Sequence, residues 1–170
     1  MSRFADAIAD FEEMRQCAER LKDPDREAHA LCLLAEGAFF TKQNDTLEER
    51  VEQVFEIADE HRLPGRAAHA RWLLGLQRVC YGRVDEGHLL LERSDREAEA
   101  VGLDAVRVRA RVWLTQVWFF RSEYERVLAN SKRVEAMAPV MMSNMMRSRS
   151  SPTTSSPDSP RRTSDGSTKG

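Results

Sequence analysis

The sequence has few of the features that tie a protein to an oxidising compartment or to a membrane. Its 170 residues include three cysteines, an odd number without a Cys-x-x-Cys pair, so a disulfide framework is not indicated. The chain opens with an acidic amphipathic segment, whereas a secretory signal needs a basic start and an apolar run. The longest apolar run, around residues 30–35, is too short to cross a bilayer. We expect a reduced, cytoplasmic protein with no membrane partner.

Signals for β-strands and for catalysis are also missing. No stretch alternates polar and apolar residues, and no Asn-Gly or Asp-Gly hairpin separates β-rich runs. The sequence has no phosphate-binding GxxxxGK or GxGxxG, no HExxH, and no cysteine and histidine spacing typical of zinc sites. These absences predict an all-α protein that is not an enzyme and holds no cofactor or metal.

Charge argues against a nucleic-acid partner. The net charge is −2, and the five basic and two acidic residues after Pro139 leave −5 on the part before it. An acidic body has no general attraction for a phosphate backbone. Arg107, Arg109 and Arg111 do not form one patch, because alternate residues on a helix diverge by about 200°. Some of these arginines are expected to pair with acidic helices of neighbouring units, and the acids around Asp95 are expected on a solvated face.

The sequence repeats itself with a period of forty residues. Alanine and leucine recur in the same register, and the residue after each leucine stays small, as in Ala30, Leu34, Ala35; Ala70, Leu74, Gly75; and Ala110, Leu114, Thr115. A fixed period in this range is typical of stacked units that bury their apolar faces only against one another.

Apolar spacings of three and four divide each unit into two helices. The predicted first helices are 26–42, 66–82 and 106–122. The predicted second helices are 45–62, 84–102 and 124–138, and an extra helix of the second type is predicted at 4–21. Proline and glycine at Pro24, Pro64, Gly82 and Gly102 fall at the expected boundaries.

These helix pairs resemble tetratricopeptide repeats. The third unit matches best, with Leu114-Thr115, Trp118, Tyr124, Val127 and Pro139 at the motif positions, whereas the middle unit places Arg71 and Arg78 where that family prefers aromatics. The resemblance implies an all-α, right-handed superhelix of antiparallel helix hairpins over residues 1–146. It also implies a concave groove lined by the first helix of each pair.

The resemblance places nine candidate partner-binding residues on this groove: His29, Phe39, Phe40, His69, Trp72, Arg109, Gln116, Phe119 and Phe120. Aromatic contact area edged by histidine and arginine suits an extended or helical peptide that carries a carboxylate. The alternative is that some of the aromatic residues pack between adjacent pairs and that the two histidines match through common descent. A metal shared by the histidines lacks a third ligand, because an arginine occupies the matching place in the third unit.

The predicted function is a non-enzymatic scaffold that binds a protein or peptide, in bacterial signalling or regulation. The alternative is a sensory or regulatory fragment of a larger transcription activator, nucleotide cyclase or signalling ATPase, and a third interpretation is a small-molecule-binding domain.

The Ser, Thr, Pro and Arg-rich tail 147–170 is predicted to be disordered. A fourth pair is predicted to begin at Val140–Met146, and the two apolar ends of the stack are expected to promote self-association.

Overall fold

The protein is helical throughout the part that the structure describes. The structure is a computed structural model that describes the backbone of residues 3–149 and the side chains of residues 5–137. This part contains seven helices and no strand: α1 (Arg3–Leu21), α2 (Pro24–Phe40), α3 (Asn44–Glu60), α4 (Pro64–Cys80), α5 (Val84–Ala100), α6 (Asp104–Phe120) and α7 (Tyr124–Arg149). The all-α prediction is therefore confirmed for these residues. None of their helices combines the length and the apolar character that crossing a membrane requires.

The helices follow the forty-residue period of the sequence. The first-type helices α2, α4 and α6 are 17 residues long and begin at Pro24, Pro64 and Asp104, two residues before their predicted starts. Proline suits the first helical position because its missing N–H would have no intrahelical partner there. At the start of α2, the Asp23 side chain accepts a hydrogen bond of 3.1 Å from the Arg26 amide.

The backbone repeats every twenty residues, twice as often as the sequence. Each of the six connections contains one residue with positive φ, and these are Lys22, Lys42, Arg62, Gly82, Gly102 and Ser122. In each case the following amide closes back onto the preceding helix, as Arg83 N does on Arg78 O at 2.8 Å. This is the Schellman ending, which satisfies the last carbonyl groups of a helix.

Consecutive helices pack antiparallel, with their closest approach between α4 and α5. Gly87 faces Val79 and Gly75, and a Cβ on Gly87 would lie 2.8 Å from the Gly75 carbonyl oxygen. Nearer the other end, the Ser94 hydroxyl donates to the Ala68 carbonyl at 2.8 Å. The missing side chains at the two glycines thus let the backbones of this central pair meet.

The first-type helices also pack against one another, whereas the second-type helices do not pack side by side. Within residues 3–149 the backbone of α4 lies close to both α2 and α6, and the backbones of α1, α3, α5 and α7 lie close only to first-type helices. Between α1 and α3 there is a long ion pair, from Arg50 to Glu12 at 3.9 Å. The core lies between the two sets and includes Leu31, Leu47, Leu73, Leu91 and Val117. As a result, α2, α4 and α6 share one continuous face, and clefts open between successive second-type helices.

Helix α7 corrects the prediction for the end of the stack. It runs without interruption from Tyr124 to Arg149 and includes Pro139, so the predicted stop at 138 and new helix at Val140 are wrong. Proline removes one backbone donor, while methionine and arginine are good helix formers and no glycine follows before Arg149. The helix passes the predicted boundary at 146, and the rest of the tail lies outside the described residues, as do the side chains of Phe4 and of Met141–Met146.

Candidate functional site

A chain of ring contacts crosses the face shared by α2, α4 and α6. The rings of His29 on α2 and His69 on α4 have centroids 6.5 Å apart. His69 in turn lies 5.7 Å from Trp72 on the same helix. The guanidinium of Arg109 on α6 lies over the Trp72 ring, 5.0 Å from its centroid. The structure thus brings together four of the nine predicted residues, one from each repeated position and the tryptophan between them.

Arg109 also connects the outer two helices of this face. Its Nη1 donates to Glu36 Oε2 of α2 at 3.2 Å. Arg109 is exposed, so the pair gains little energy from charge alone. Its position leaves a cation at the middle of the face, available to a ligand carboxylate that replaces Glu36.

Two of the four residues are more deeply buried than a groove edge requires. His69 is 6% exposed and Trp72 is 4% exposed, which favours the alternative that they pack between adjacent pairs over their presentation to a partner. They pack between first-type helices, since His69 contacts His29 on α2 and Trp72 lies under Arg109 of α6. Within the described part, His69 Nε2 and Trp72 Nε1 are buried without a hydrogen-bond partner.

Burial also decides the charge of the two histidines. It lowers the pKa of His69 to about 3, helped by the nearby charge of Arg109. The pKa of His29 is lowered as well, first by burial and then by Arg66. Arg66 forms a two-pronged pair with Asp25, with both N···O distances at 2.8 Å, and this hydrogen bonding lowers the pKa of Asp25. Both histidines are therefore neutral at pH 7, and the cations on this face are arginines.

Five aromatic residues, all exposed except the half-buried Phe39, gather at the carboxyl ends of the three first-type helices. We call them the aromatic rim: Phe39, Phe40, Tyr81, Phe119 and Phe120. Phe40 is 64% and Phe120 68% exposed. Because α2, α4 and α6 each follow an antiparallel partner, they run in the same direction and their carboxyl ends lie at one end of the molecule.

The rim contains a cleft between α2 and α4. Its volume is about 460 Å³, and it is lined by Phe39, Phe40, Lys42, Cys80 and Tyr81. Phe119 extends the apolar surface at α6 through edge contacts with Phe120 and Tyr124, at centroid distances of 6.3 and 6.1 Å. Four predicted aromatic residues thus lie on the rim. Gln116 does not join them, because it lines a separate exposed cleft with Val112 and Ser131 between α6 and α7.

Buried arginines on the opposite side of α4 and α6 were not predicted as a feature of the structure. Arg111 donates through Nε and Nη2 to both oxygens of Asp95 at 2.9 and 2.7 Å, and through Nη1 to Asn130 Oδ1 at 3.1 Å. Asp95 is 8% exposed, so its predicted place on a solvated face is wrong. Burial raises its pKa, against the opposing effect of Arg111. The available signal was the register, since Arg71 and Arg111 stand forty and eighty residues after the buried Leu31.

The other arginines confirm the predicted pairing with acidic helices. Arg78 on α4 contacts Glu48 on α3, and Arg107 on α6 contacts Glu99 near the end of α5. Arg107 and Arg111 both pair with Asp95, at 3.7 and 2.7 Å, whereas Arg109 pairs with Glu36, so the three arginines form no common basic patch. Nucleic acid would have to displace these pairs to bind here.

Comparison of the sequence with protein-family models gave no match, and comparison with curated proteins gave none either. Among the described residues, no three His, Cys, Asp or Glu side chains lie close enough to hold a metal ion. The function is therefore inferred from the geometry of the shared face and its rim.

Proposed function

We propose that the protein is a tetratricopeptide-like interaction scaffold and that its aromatic rim binds a peptide or a helix of a partner protein. The observation that carries the proposal is the exposure of large aromatic side chains at the carboxyl ends of all three first-type helices: Phe40 and Phe120 in matching positions, and Tyr81 one residue after the matching position on α4. Aromatic residues are enriched at the energetic centres of protein interfaces, where they bury much area at little entropic cost.

Charge near the rim favours an acidic ligand. Lys42 lines the cleft beside Phe40, and Arg121 follows Phe120 at the end of α6. Arg109 lies on the same face, further from the carboxyl ends of the helices. An aromatic or aliphatic side chain of the ligand would fill the cleft, and a neighbouring carboxylate would pair with one of these cations.

The packing order supports the superhelical part of the proposal. First-type helices pack against one another and second-type helices do not pack side by side, which is the packing expected of a stack that curves toward α2, α4 and α6. Such a stack places the shared face on its concave side, as in the repeats that the sequence resembles. The scaffold would then offer several helices to one ligand at once.

Selection from a random peptide library tests the binding function directly, because any linear ligand that fits the rim is enriched. The phage-displayed library would be panned on the full chain, and the selected sequence would be synthesised and titrated by calorimetry. We expect the selected peptide to combine apolar or aromatic residues with at least one acid. The double variant Phe40→Ser, Phe120→Ser should bind it at least tenfold more weakly, because both contacts lose their apolar area.

A matched control separates the rim from general stickiness. Leu89 on α5 and Leu128 on α7 are 66% and 65% exposed, much like the two phenylalanines, but they lie on second-type helices. Leu89→Ser, Leu128→Ser should leave the affinity within a factor of two. The proposal would be overturned if both double variants lost the same amount of peptide affinity, or if the rim variant bound the peptide as tightly as the unchanged chain.

A further inference from the structure

A second cleft lies on the opposite side of the molecule, between α3 and α5. It has a volume of about 760 Å³, and its floor is the first half of α4. The cleft exists because α3 and α5 do not contact each other within residues 3–149. Its walls combine the Phe55 ring and Leu63 with three arginines, of which Arg71 lies at the bottom.

Arg71 and Arg111 occupy the same position in successive units, forty residues apart. Each is covered by the second-type helix before it, and position 55 of α3 corresponds to position 95 of α5. In the later unit this position is Asp95, which accepts from Nε and Nη2 on one edge of the Arg111 guanidinium. In the earlier unit it is Phe55, whose ring lies 5.1 Å from the Arg71 guanidinium carbon.

The exchange of aspartate for phenylalanine leaves Arg71 with fewer acceptors. Its Nη1 donates to Glu97 and, at 3.4 Å, to the Ala67 carbonyl. Among the described residues, its Nε and Nη2 make no hydrogen bond, and both hydrogen bonds of Arg71 are made by Nη1. Arg111, by contrast, has an acceptor at each of these atoms and a third at Nη1.

The acceptor that Arg71 does have is shared. Glu97 also accepts from Arg93 Nε at 2.8 Å, so one carboxylate serves two guanidinium groups. The Arg71 side chain is only 12% exposed, and water compensates it less than it would a surface cation. Burial lowers the pKa of Arg71, and Arg93 lowers it further.

We propose that the cleft between α3 and α5 binds a carboxylate that bears an adjoining apolar group. The ligand carboxylate takes the Nε and Nη2 edge of Arg71, as Asp95 takes that edge of Arg111. A guanidinium fork matches a carboxylate in a bidentate arrangement, and within the described residues the hydrogen bonds of Arg71 leave its Nε and Nη2 unused. The apolar group packs on Phe55 and Leu63. This site is independent of the aromatic rim.

The charges around the cleft select a singly charged ligand. Arg62, Arg71 and Arg93 are balanced by three acids, Glu56, Asp59 and Glu97. One carboxylate can accept hydrogen bonds from Nε and Nη2 of Arg71 without being repelled by a large excess of negative charge. A phosphate or another polyanion meets the three acids at the margin and is disfavoured.

Phenylacetate is a suitable probe, and phenylacetamide is its neutral counterpart of the same shape. Both would be titrated into the full chain labelled with ¹⁵N, with the Arg71 Nε–H and the backbone amides around Phe55 and Ala67 as reporters. We expect saturable shifts with phenylacetate and affinity at least tenfold weaker for phenylacetamide. Equal shifts from the two compounds, or no saturable shift with phenylacetate, would overturn the proposal.

Two substitutions test whether Arg71 binds a carboxylate as Arg111 does, one by lowering the affinity for phenylacetate and the other by raising it. Phe55→Asp supplies the carboxylate found in the later unit, so it should occupy Arg71 and reduce phenylacetate affinity at least tenfold. Glu97→Gln removes the competing acid and should raise the affinity severalfold. If Phe55→Asp does not fold, the Glu97→Gln result decides, and an unchanged or lower affinity there contradicts the proposal.

The same probes distinguish two sources of the carboxylate. An acetylated tripeptide that ends in phenylalanine with a free carboxyl group would be compared with phenylacetate. Tighter binding of the tripeptide identifies a chain terminus as the ligand type, and equal affinity identifies a small aromatic or aliphatic acid. Loss of binding when the tripeptide carboxylate is amidated is expected in both cases.

Discussion

The guanidinium of Arg109 lies 5.0 Å above the ring centroid of Trp72, and this contact joins two units of the stack. Through Glu36 the same arginine reaches a third unit, so one side chain on α6 touches α4 and α2. The contact covers the buried tryptophan and sets the position of a cation on the shared face.

The close approach of α4 and α5 predicts a strong effect of Gly87→Ala. The added Cβ would lie 2.5 Å from Val79 Cγ2 and under 3 Å from two backbone atoms, so the helices must separate. We expect the free energy of unfolding to fall by about 1–3 kcal/mol, the usual cost of overpacking. Gly65→Ala is the control, since its nearest neighbours lie at 3.7 Å, and it should change stability by less than about 1 kcal/mol. Chemical denaturation would measure both.

The buried pair of Arg111 and Asp95 predicts a large loss on Asp95→Ala. The substitution leaves a buried guanidinium without its bidentate partner, which costs about 3–5 kcal/mol in such sites. Glu123→Ala removes the acid of an exposed pair with Arg126 and should cost less than about 1 kcal/mol. Urea unfolding would measure the loss in the free energy of unfolding for each variant. Similar losses would show that Arg111 finds a replacement partner.

The lowered pKa of His69 predicts a loss of stability in weak acid. Its pKa is about 3 in the folded chain against an ordinary value of about 6.5, so between these values the unfolded chain binds more protons. The contribution is fully present above pH 6.5 and declines as the pH falls, by about 1–2 kcal/mol near pH 5. His69→Gln should flatten the profile of unfolding free energy between pH 5 and 7. His61→Gln, at an exposed position, should leave its slope unchanged.

The positive φ of Lys42 predicts that Lys42→Gly stabilises the chain. A side chain in the left-handed region costs about 1 kcal/mol relative to glycine, which already stands at the matching position 82. Glycine also gives the unfolded chain more conformational entropy, which offsets part of this gain. We therefore expect the free energy of unfolding to show a net rise of about 0.5 kcal/mol. Lys42→Ala retains the strained geometry and should show no such increase in thermal unfolding.

The sequence was sufficient to predict where the helices lie because each one carries a long apolar stripe. Gly82 and Gly102 marked two of the six connections. Lys22, Lys42, Arg62 and Ser122 adopt the same positive φ, but their residue types do not signal it. The predicted end of α7 was wrong because Pro139 was taken as the end of the helix, although the residues after it favour a helix.

The sequence predicted which residues share one face of the molecule, but it did not predict how deeply each side chain is buried. The period identified His29, His69 and Arg109 as equivalent positions, and the structure brings them to one face. Whether a side chain is covered depends on how closely neighbouring helices approach, which the repeat pattern does not determine. Trp72 and Phe120 both looked like groove aromatics, yet one is buried between helices and the other is exposed at a helix end.

Amide hydrogen exchange with and without the library-selected peptide is the decisive test of the aromatic rim as the binding surface. We predict slower exchange on binding at the carboxyl ends of the first-type helices, in residues 36–43, 76–83 and 116–123. We predict no change along α3 and α5, which lie outside the shared face. Protection that appears along α3 and α5 and leaves those three segments unchanged would show that the ligand binds elsewhere and that the rim is not the binding surface.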